Sequence, residues 1–371
     1  MDNQEDTHAE ATAASKSLPR NVKLLAWASC LNDIASETIF PLAPQFLLET
    51  LGGDRRFLGL IEGVADSTAS LLKLWSGAWS DAVGSRRGFV LFGYILAAVV
   101  RPLTGAITAP WQMLAIRTSD RIGKGIRTAP RDAMIADSAS ADQRGRAFGF
   151  HRAMDHLGAA IGPVLATVFL WLWPGELRWL FALTLIPGLM VVALLVLGLK
   201  EPPVRSRAAK PFAFSLRPFD HSFRWFLLTI VVFTLGNSSD AFLLVRAAEV
   251  GWPTAALPML WFGFHLAKSA GNWAFGAQVD RRGARRPMIL GWAIYAVAYV
   301  GFGLAGSAWQ IAGCFLLYAV HYALVEPAEK AWVAQLVDEQ QRGLAYGWFN
   351  FAIGIAALPA SLLFGWIYQT W

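Results

Sequence analysis

Long apolar runs recur along almost the whole sequence, and each is about as long as a helix that crosses a bilayer. Such a helix needs roughly 20 mostly apolar residues. The chain of 371 residues is 55% hydrophobic and only 16% charged. Because lipid cannot hydrogen-bond to the backbone, spans of this length are helical. The sequence therefore predicts an all-α polytopic membrane protein, not the two or three soluble domains that length alone suggests.

Eleven spans can be read from these runs. They are residues 22–50, 56–81, 87–107, 109–138, 144–173, 176–199, 222–247, 252–279, 287–306, 309–336 and 342–371. Residues 1–21 lack the features of a signal peptide, and we expect a disordered tail. The proline-rich and basic segment 200–221 separates six spans within 22–199 from five within 222–371. We therefore expect two helix bundles joined by a central loop.

Basic residues are distributed unevenly between the two sides of these spans. Eighteen of the 32 lysines and arginines lie on the side of the tail: Lys16, Arg20, Lys23, Arg86, Arg87, Arg144, Arg146, Lys200, Arg205, Arg207, Lys210, Arg217, Arg224, Arg281, Arg282, Arg285, Arg286 and Arg342. Only Arg55, Arg56 and Arg178 lie on the other side. The positive-inside rule then predicts a cytoplasmic N-terminus and a cytoplasmic central loop. The same pattern indicates contact with anionic lipid and argues against a nucleic-acid partner.

Three short blocks occur twice in the sequence, the second copy 198 or 199 residues after the first. They are Gly77-x-x-x-Asp81-x-x-Gly84-x-Arg86-Arg87 with Gly276-x-x-x-Asp280-x-x-Gly283-x-Arg285-Arg286, Trp111-Gln112 with Trp309-Gln310, and Gln143-Arg144-Gly145-x-Ala147-x-Gly149 with Gln341-Arg342-Gly343-x-Ala345-x-Gly347. Both copies keep the same orientation, as in the parallel repeats of secondary transporters.

The first block resembles the loop signature of the major facilitator superfamily, which lies between helices two and three and again between eight and nine. Ala82 and Ser85 depart from it, since basic residues are common there. The resemblance covers about Val22 to Trp371. It implies two pseudo-repeated bundles, alternating access, gating loops at both blocks and a bacterial-type cytoplasmic (inner) membrane. Because the family has twelve helices, we expect either that the sequence lacks the last helix or that one run hides two spans.

Helix five refines the resemblance. Gly149, Gly158, Gly162 and Pro163 are similar to the antiporter motif of drug-exporting members, although the Gly pair that usually ends this motif is replaced. Helix four, with DRIGKGIRTAPRDA, resembles an exporter-like bacterial branch. Small residues four apart also let helices approach closely. Plain helix packing is therefore the alternative interpretation of these glycines.

Four basic residues mark one face of the fourth span. At 100° per residue, Arg117, Arg121, Lys124 and Arg131 fall within about 80° of one another. Cations facing lipid cost several kcal/mol each, so we expect this face to meet protein or a water-filled cavity. Three interpretations of these basic residues are open. They bind an anionic substrate, they pair with buried acids, or those near the cytoplasmic end form a latch between conformations. The acids expected as partners are Asp33, Glu37, Asp120 and Asp155.

Acids at membrane depth are candidates for proton coupling. Asp33 and Glu37 share one face of the first span, and Asp33 lies about 16 Å from its start at 1.5 Å per residue. Asp155 lies at similar depth, and Asp240 and Glu326 are candidates for the cavity lining in the second half. Burial favours a neutral carboxyl group and a nearby cation favours the charged one, so a proton can bind and leave as surroundings alternate. A permanent ion pair is the alternative.

No Walker loop, nucleophile constellation or metal-ligand quartet can be read, so we expect no enzyme, no cofactor and no metal site. Together these patterns predict a monomeric secondary active transporter in the lipid bilayer. It works by alternating access and exports a small molecule or ion in exchange for protons. The alternatives are an organic-anion uniporter or importer, and a non-transporting receptor or lipid-handling protein on the same scaffold.

Overall fold

A computed structural model describes residues 17–140, 143–201, 215–338 and 342–370, and every structural statement below refers to these ranges. Most of the predicted tail and most of the central loop therefore lie outside the described residues. Within the helices, the side chains at 81, 144–145, 272–274, 276–282, 334 and 342–343 also lie outside the description.

The described residues form helices without strands, which confirms the predicted fold class. The helices are α1 (Arg20–Ile39), α2 (Arg55–Val83), α3 (Arg87–Val100), α4 (Pro110–Ser138), α5 (Arg144–Leu172), α6 (Leu177–Leu183), α7 (Leu185–Gly198), α8 (His221–Leu235), α9 (Ala241–Glu249), α10 (Leu257–Arg282), α11 (Arg285–Leu304), α12 (Ala308–Gln335) and α13 (Arg342–Thr370). Short helical turns cover Ala43–Gln45, Phe46–Thr50, Pro102–Gly105 and Thr254–Ala256.

Six helical segments of the described chain are long and apolar enough to cross a membrane. They are Arg87–Gly105, Arg146–Leu172, Leu177–Gly198, Arg285–Leu304, Ala308–Val333 and Leu344–Thr370. Helices α2 and α4 are each 29 residues long but carry more charge. Their charged faces must be covered by protein or by water, because lipid solvates charge poorly.

Two predicted spans, 22–50 and 222–247, are broken where a single helix was expected, whereas the span 176–199 is interrupted at Thr184 but remains one membrane-length segment, Leu177–Gly198. The first breaks after Ile39, beside Pro41 and Pro44, and the sixth at Thr184, shortly before Pro187. Proline lacks the N–H group that continues a helix. The seventh breaks over 236–240, because Asn, Ser and Asp side chains compete for backbone hydrogen bonds.

The two copies of the repeated loop share one backbone feature. Gly84, after α2, has φ +70°, and Gly283, after α10, has φ +78°. This left-handed conformation ends a helix at little cost only when the residue is glycine. The end of the molecule that carries these two loops is called the motif end below.

We call helices α1–α7 the first bundle and helices α8–α13 the second bundle; the two meet along two helix pairs. In the first bundle α1 packs on α5 and α7, and α4 packs on α2 and α3. In the second, α12 packs on α10 and α11, and α8 packs on α13. The bundles touch where α2 meets α13 and where α5 meets α10.

The apolar core differs between the two ends. Opposite the motif end, one cluster joins both bundles: Phe46, Leu58 and Phe181 from the first pack with Phe242 and Val245 from the second. We call this the sealed end. At the motif end each bundle has its own cluster, around Val22 and Tyr94 in the first and around Phe223 and Met288 in the second. The bundles are therefore joined most firmly at the sealed end.

Candidate functional site

A cavity of about 420 Å³ lies between the bundles. Its polar lining from the first bundle is Glu62, Asp66, Ser70, Lys73, Arg121 and Lys124. Its polar lining from the second bundle is Thr234, Asn237, Ser238, Ser239, Asp240, Tyr322, Glu329 and Ser361. Cavities of roughly 300–1,000 Å³ are typical of small-molecule sites. This is the candidate substrate site.

A buried ion pair lies against the cavity. The guanidinium of Arg117 on α4 donates to both carboxylate oxygens of Glu62 on α2, at 2.9 and 3.0 Å. Glu62 is 3% exposed and Arg117 8%. Ser239, from the second bundle, donates to the same carboxylate at 3.4 Å. Two charges that are neutralised in this way hold α2 to α4 and leave little net charge for a substrate.

The next basic residues along α4 are held more loosely. The Arg121 guanidinium lies 3.9 Å from the carboxylate of Asp66, whose side chain is 46% exposed. Lys124 is exposed, and neither it nor Lys73 of α2 makes an ion pair with a described residue. The first-bundle wall therefore presents two unpaired ammonium groups and one partly paired guanidinium.

The facing wall carries carboxylates instead. Asp240 lies at the break between α8 and α9, where the hydroxyls of Tyr318 and Tyr322 donate to it at 2.7 and 3.4 Å. Glu329 of α12 lines the cavity without an ion pair to a described residue. The break in the seventh span thus brings Asn237 and its polar neighbours to the cavity.

Within the described residues, no ion pair joins the α4 bases to the acids predicted as their partners, Asp33, Glu37, Asp120 and Asp155. Arg117 pairs with Glu62 and Arg121 with Asp66, whereas Asp120 accepts from Arg101 at 2.8 Å. The physical reason is packing, because α4 lies along α2 for most of its length and touches α1 only briefly.

The remaining predicted acids lie outside the cavity lining. Asp33 accepts from the Asn32 amide at 3.0 Å, and Glu37 accepts from the Trp261 indole of the second bundle at 2.9 Å. A carboxylate oxygen of Asp155 lies 3.5 Å from the His151 ring and 3.8 Å from the Arg152 guanidinium. Glu326 lies 3.2 Å from Lys268 and 3.8 Å from Lys330.

Sequence reasoning missed Glu62, Asp66 and Lys73 of the cavity wall. A signal was available, because the three positions fall on one face of α2 at 100° per residue, as the bases do on α4. Arg101 was also missed. Its guanidinium donates to the backbone and side-chain oxygens of Asn32, both at 2.9 Å, so it ties α1 to the end of α3.

The first gating loop is held within its own bundle. Arg86 pairs with Asp137, and the Arg87 guanidinium donates to the carbonyl of Leu199 at 2.8 Å. The Glu201 carboxylate accepts from the backbone N–H groups of Arg86 and Arg87, at 2.8 and 2.9 Å. In the second loop Arg285 and Arg286 are exposed.

The predicted acids of both gating loops have undescribed side chains. Those of Asp81 and Asp280, together with Gly276, lie outside the described residues.

The glycines of helix five lie at a close helix contact. A Cβ atom on Gly158 would stand 2.3 Å from the carbonyl oxygen of Cys30 on α1, and one on Gly162 would stand 2.7 Å from that of Ile34. Gly149 has open space around it. The packing interpretation therefore accounts for Gly158 and Gly162, and Pro163 lies within α5.

Two bundles, a pseudo-repeat and a polar cavity between them define a membrane transporter. The sequence matches the model of the Major Facilitator Superfamily over residues 25–264 and 241–371, so the chain belongs to this family. It is 31% identical to an uncharacterized MFS-type transporter of Methanocaldococcus jannaschii, a match that covers 95% of this chain and 90% of the relative.

More distant relatives agree on the fold. The chain is 22% identical to the multidrug resistance protein MdtH of Salmonella arizonae, over 89% of this chain and 82% of that protein. It also resembles the inward-facing, occupied crystal structure of a bacterial homolog to the human lysosomal transporter Spinster. The TM-score is 0.77 at 18% identity, and the match covers 94% of this chain and 81% of that one.

Proposed function

We propose that the chain is a proton-coupled exporter that moves a small molecule or ion out of the cytoplasm by alternating access. The observation that carries this proposal is a polar cavity between two bundles that share an apolar cluster at the sealed end, whereas the clusters described at the motif end belong to one bundle each. In such an arrangement the two bundles can rotate relative to each other about the cavity. The basic residues cluster at the motif end, so the positive-inside rule makes that end cytoplasmic and makes this an inward-facing state.

Carboxylates without cationic partners support proton coupling. Within the described residues, the Asp33 carboxylate accepts only from an uncharged amide, Asp240 accepts only from phenol hydroxyls, and Glu329 has no ion pair. A neutral carboxyl group can be accommodated at each of these positions. Intramembrane acids commonly serve as proton relays in transporters. Efflux is supported by the similarity to a multidrug resistance protein.

A second candidate is an organic-anion uniporter or importer. Lys73, Arg121 and Lys124 line one wall of the cavity, and this observation favours an anionic group on the substrate. Uniport needs no proton, so the rate would be independent of an imposed pH gradient.

Asp33→Asn is expected to abolish proton-driven transport while facilitated exchange of the same compound persists. The amide keeps the size of the carboxyl group and the contact with Asn32 but cannot carry a proton. A transported compound is first identified by screening host cells that express the protein against toxic metals, drugs and organic anions. Its accumulation is then measured in inside-out vesicles with an imposed pH gradient.

Glu176→Gln is the matched control, because Glu176 is an exposed acid in the loop before α6. It should transport like the wild type. Gradient-driven accumulation at the wild-type rate in Asp33→Asn, at equal protein levels, would remove Asp33 from the coupling mechanism.

A further inference from the structure

The two walls of the cavity carry opposite unpaired charges. On the first bundle, Glu62 is neutralised by Arg117 and Asp66 lies beside Arg121, which leaves the ammonium groups of Lys73 and Lys124. On the second bundle the charged lining residues are Asp240 and Glu329, and no described lysine or arginine lines the cavity from that side. The site is therefore polarised from one bundle to the other.

Hydrogen-bonding capacity follows the same division. The first wall offers the donors of Lys73, Lys124 and Arg121, which suit a carboxylate or phosphate group. The second wall offers the acceptor-only carboxylates of Asp240 and Glu329 among hydroxyl and amide groups that can both donate and accept. The buried side-chain oxygen of Asn237 has no hydrogen-bond partner within the described residues. A buried oxygen of this kind is normally satisfied, and a ligand ammonium group would satisfy it.

We infer that the substrate of this cavity is a small zwitterion, an inference that rests on the proposed transport function. Its anionic group lies on the Lys73 and Lys124 side, and its amine lies on the Asp240 and Glu329 side. A simple anion would leave its other end against two carboxylates, and a simple cation would lie against two ammonium groups. Both arrangements place like charges near each other, which is electrostatically unfavourable.

The same geometry links binding to movement. A zwitterion that contacts both walls binds a state in which the walls are close more tightly than one in which they are apart. A ligand shifts a conformational equilibrium only through such differential affinity. The cavity volume of about 420 Å³ lies at the small end of ligand sites. This size favours a compact zwitterion with N–H donors, such as an amino acid.

The inference is tested with matched compounds on the full chain purified in detergent. The panel is the twenty protein amino acids, each with the amine that lacks the carboxylate and the acid that lacks the amine. Binding raises Tm by mass action. At least one zwitterion should raise Tm, with an apparent Kd at least about tenfold lower than those of its amine and its acid.

Variants locate the binding. Lys73→Met, Lys124→Met, Asp240→Asn and Glu329→Gln should each weaken binding of that zwitterion by about tenfold or more. Lys23→Met and Glu176→Gln change exposed charges outside the cavity and should leave it unchanged. Each variant's Tm without ligand, together with gel filtration, shows that it is folded. The four cavity variants are near-isosteric, and any two that fold suffice.

Three results would overturn the inference: an acid that binds as well as its zwitterion, an amine that does so, or a panel without any Tm shift. The outcome is separate from that of the proposed function. Proton-driven transport of a simple anion would refute the zwitterion and keep the exporter. Tight zwitterion binding without proton-linked transport in vesicles would refute the proton-coupled exporter and keep the zwitterion.

Discussion

Truncation of Arg117 to alanine is expected to destabilise the protein by about 3–5 kcal/mol, because it leaves the carboxylate of Glu62 buried without a partner. Glu62 is 3% exposed, and three of its hydrogen bonds come from this guanidinium. The remaining Ser239 contact at 3.4 Å is too long to compensate. We expect a much lower thermal midpoint in detergent and little protein in the membrane.

Two comparisons isolate the cause. Arg121→Ala removes a looser contact to a half-exposed Asp66, and it should cost about 1 kcal/mol or less. The double variant Glu62→Gln/Arg117→Met removes both charges and should recover most of the lost stability. A double variant as unstable as Arg117→Ala alone would show that the ion pair is not what holds α2 to α4.

Gly59→Val is expected to prevent closure of the sealed end and to reduce transport by more than about tenfold. A Cβ atom at Gly59 on α2 would stand 2.3 Å from the carbonyl oxygen of Ser361 on α13, and backbone cannot yield as a side chain does. Overpacking costs about 1–3 kcal/mol, equivalent to about 5- to 150-fold in the ratio of two states. Because this contact joins the bundles, the valine side chain destabilises the state in which the sealed end is closed and not the packing within either bundle.

The readout is a cysteine at Ala357, which lines the cavity. Both native cysteines are replaced first. A membrane-impermeant maleimide, added on the side of the sealed end, should then label the cysteine at 357 faster in Gly59→Val than in the protein that keeps Gly59. Gly303→Val is the control, because a Cβ atom at Gly303 meets nothing within 4 Å. Unchanged labelling with normal transport would mean that the sealed end does not open there.

Local signals in the sequence predicted much of the fold. Apolar run lengths located the helices, and the repeated blocks of the sequence correspond to two turns with equivalent left-handed glycines, Gly84 and Gly283. Each of these follows from geometry within one helix or one turn.

The partners of the charged residues could not be predicted in this way. The pairing of Arg117 with Glu62 depends on which helix lies against α4, and that is decided by packing across the whole bundle. Helical spacing fixes the face on which a residue lies but not the neighbour that this face meets. For the same reason Asp33 shares a helix face with Glu37, yet only Glu37 reaches the second bundle, through Trp261.

The most direct test of rocking bundles is a pair of distances between them, measured by double electron–electron resonance in a background without native cysteines. Labels at Thr50 and Gly306 report the sealed end, and labels at Ser140 and Asp338 report the motif end; all four positions are exposed. Between pH 8 and pH 5 we expect a second population in which the sealed-end distance is longer and the motif-end distance is shorter. Distances that stay constant, or that change in the same direction at both ends, would contradict alternating access in this protein.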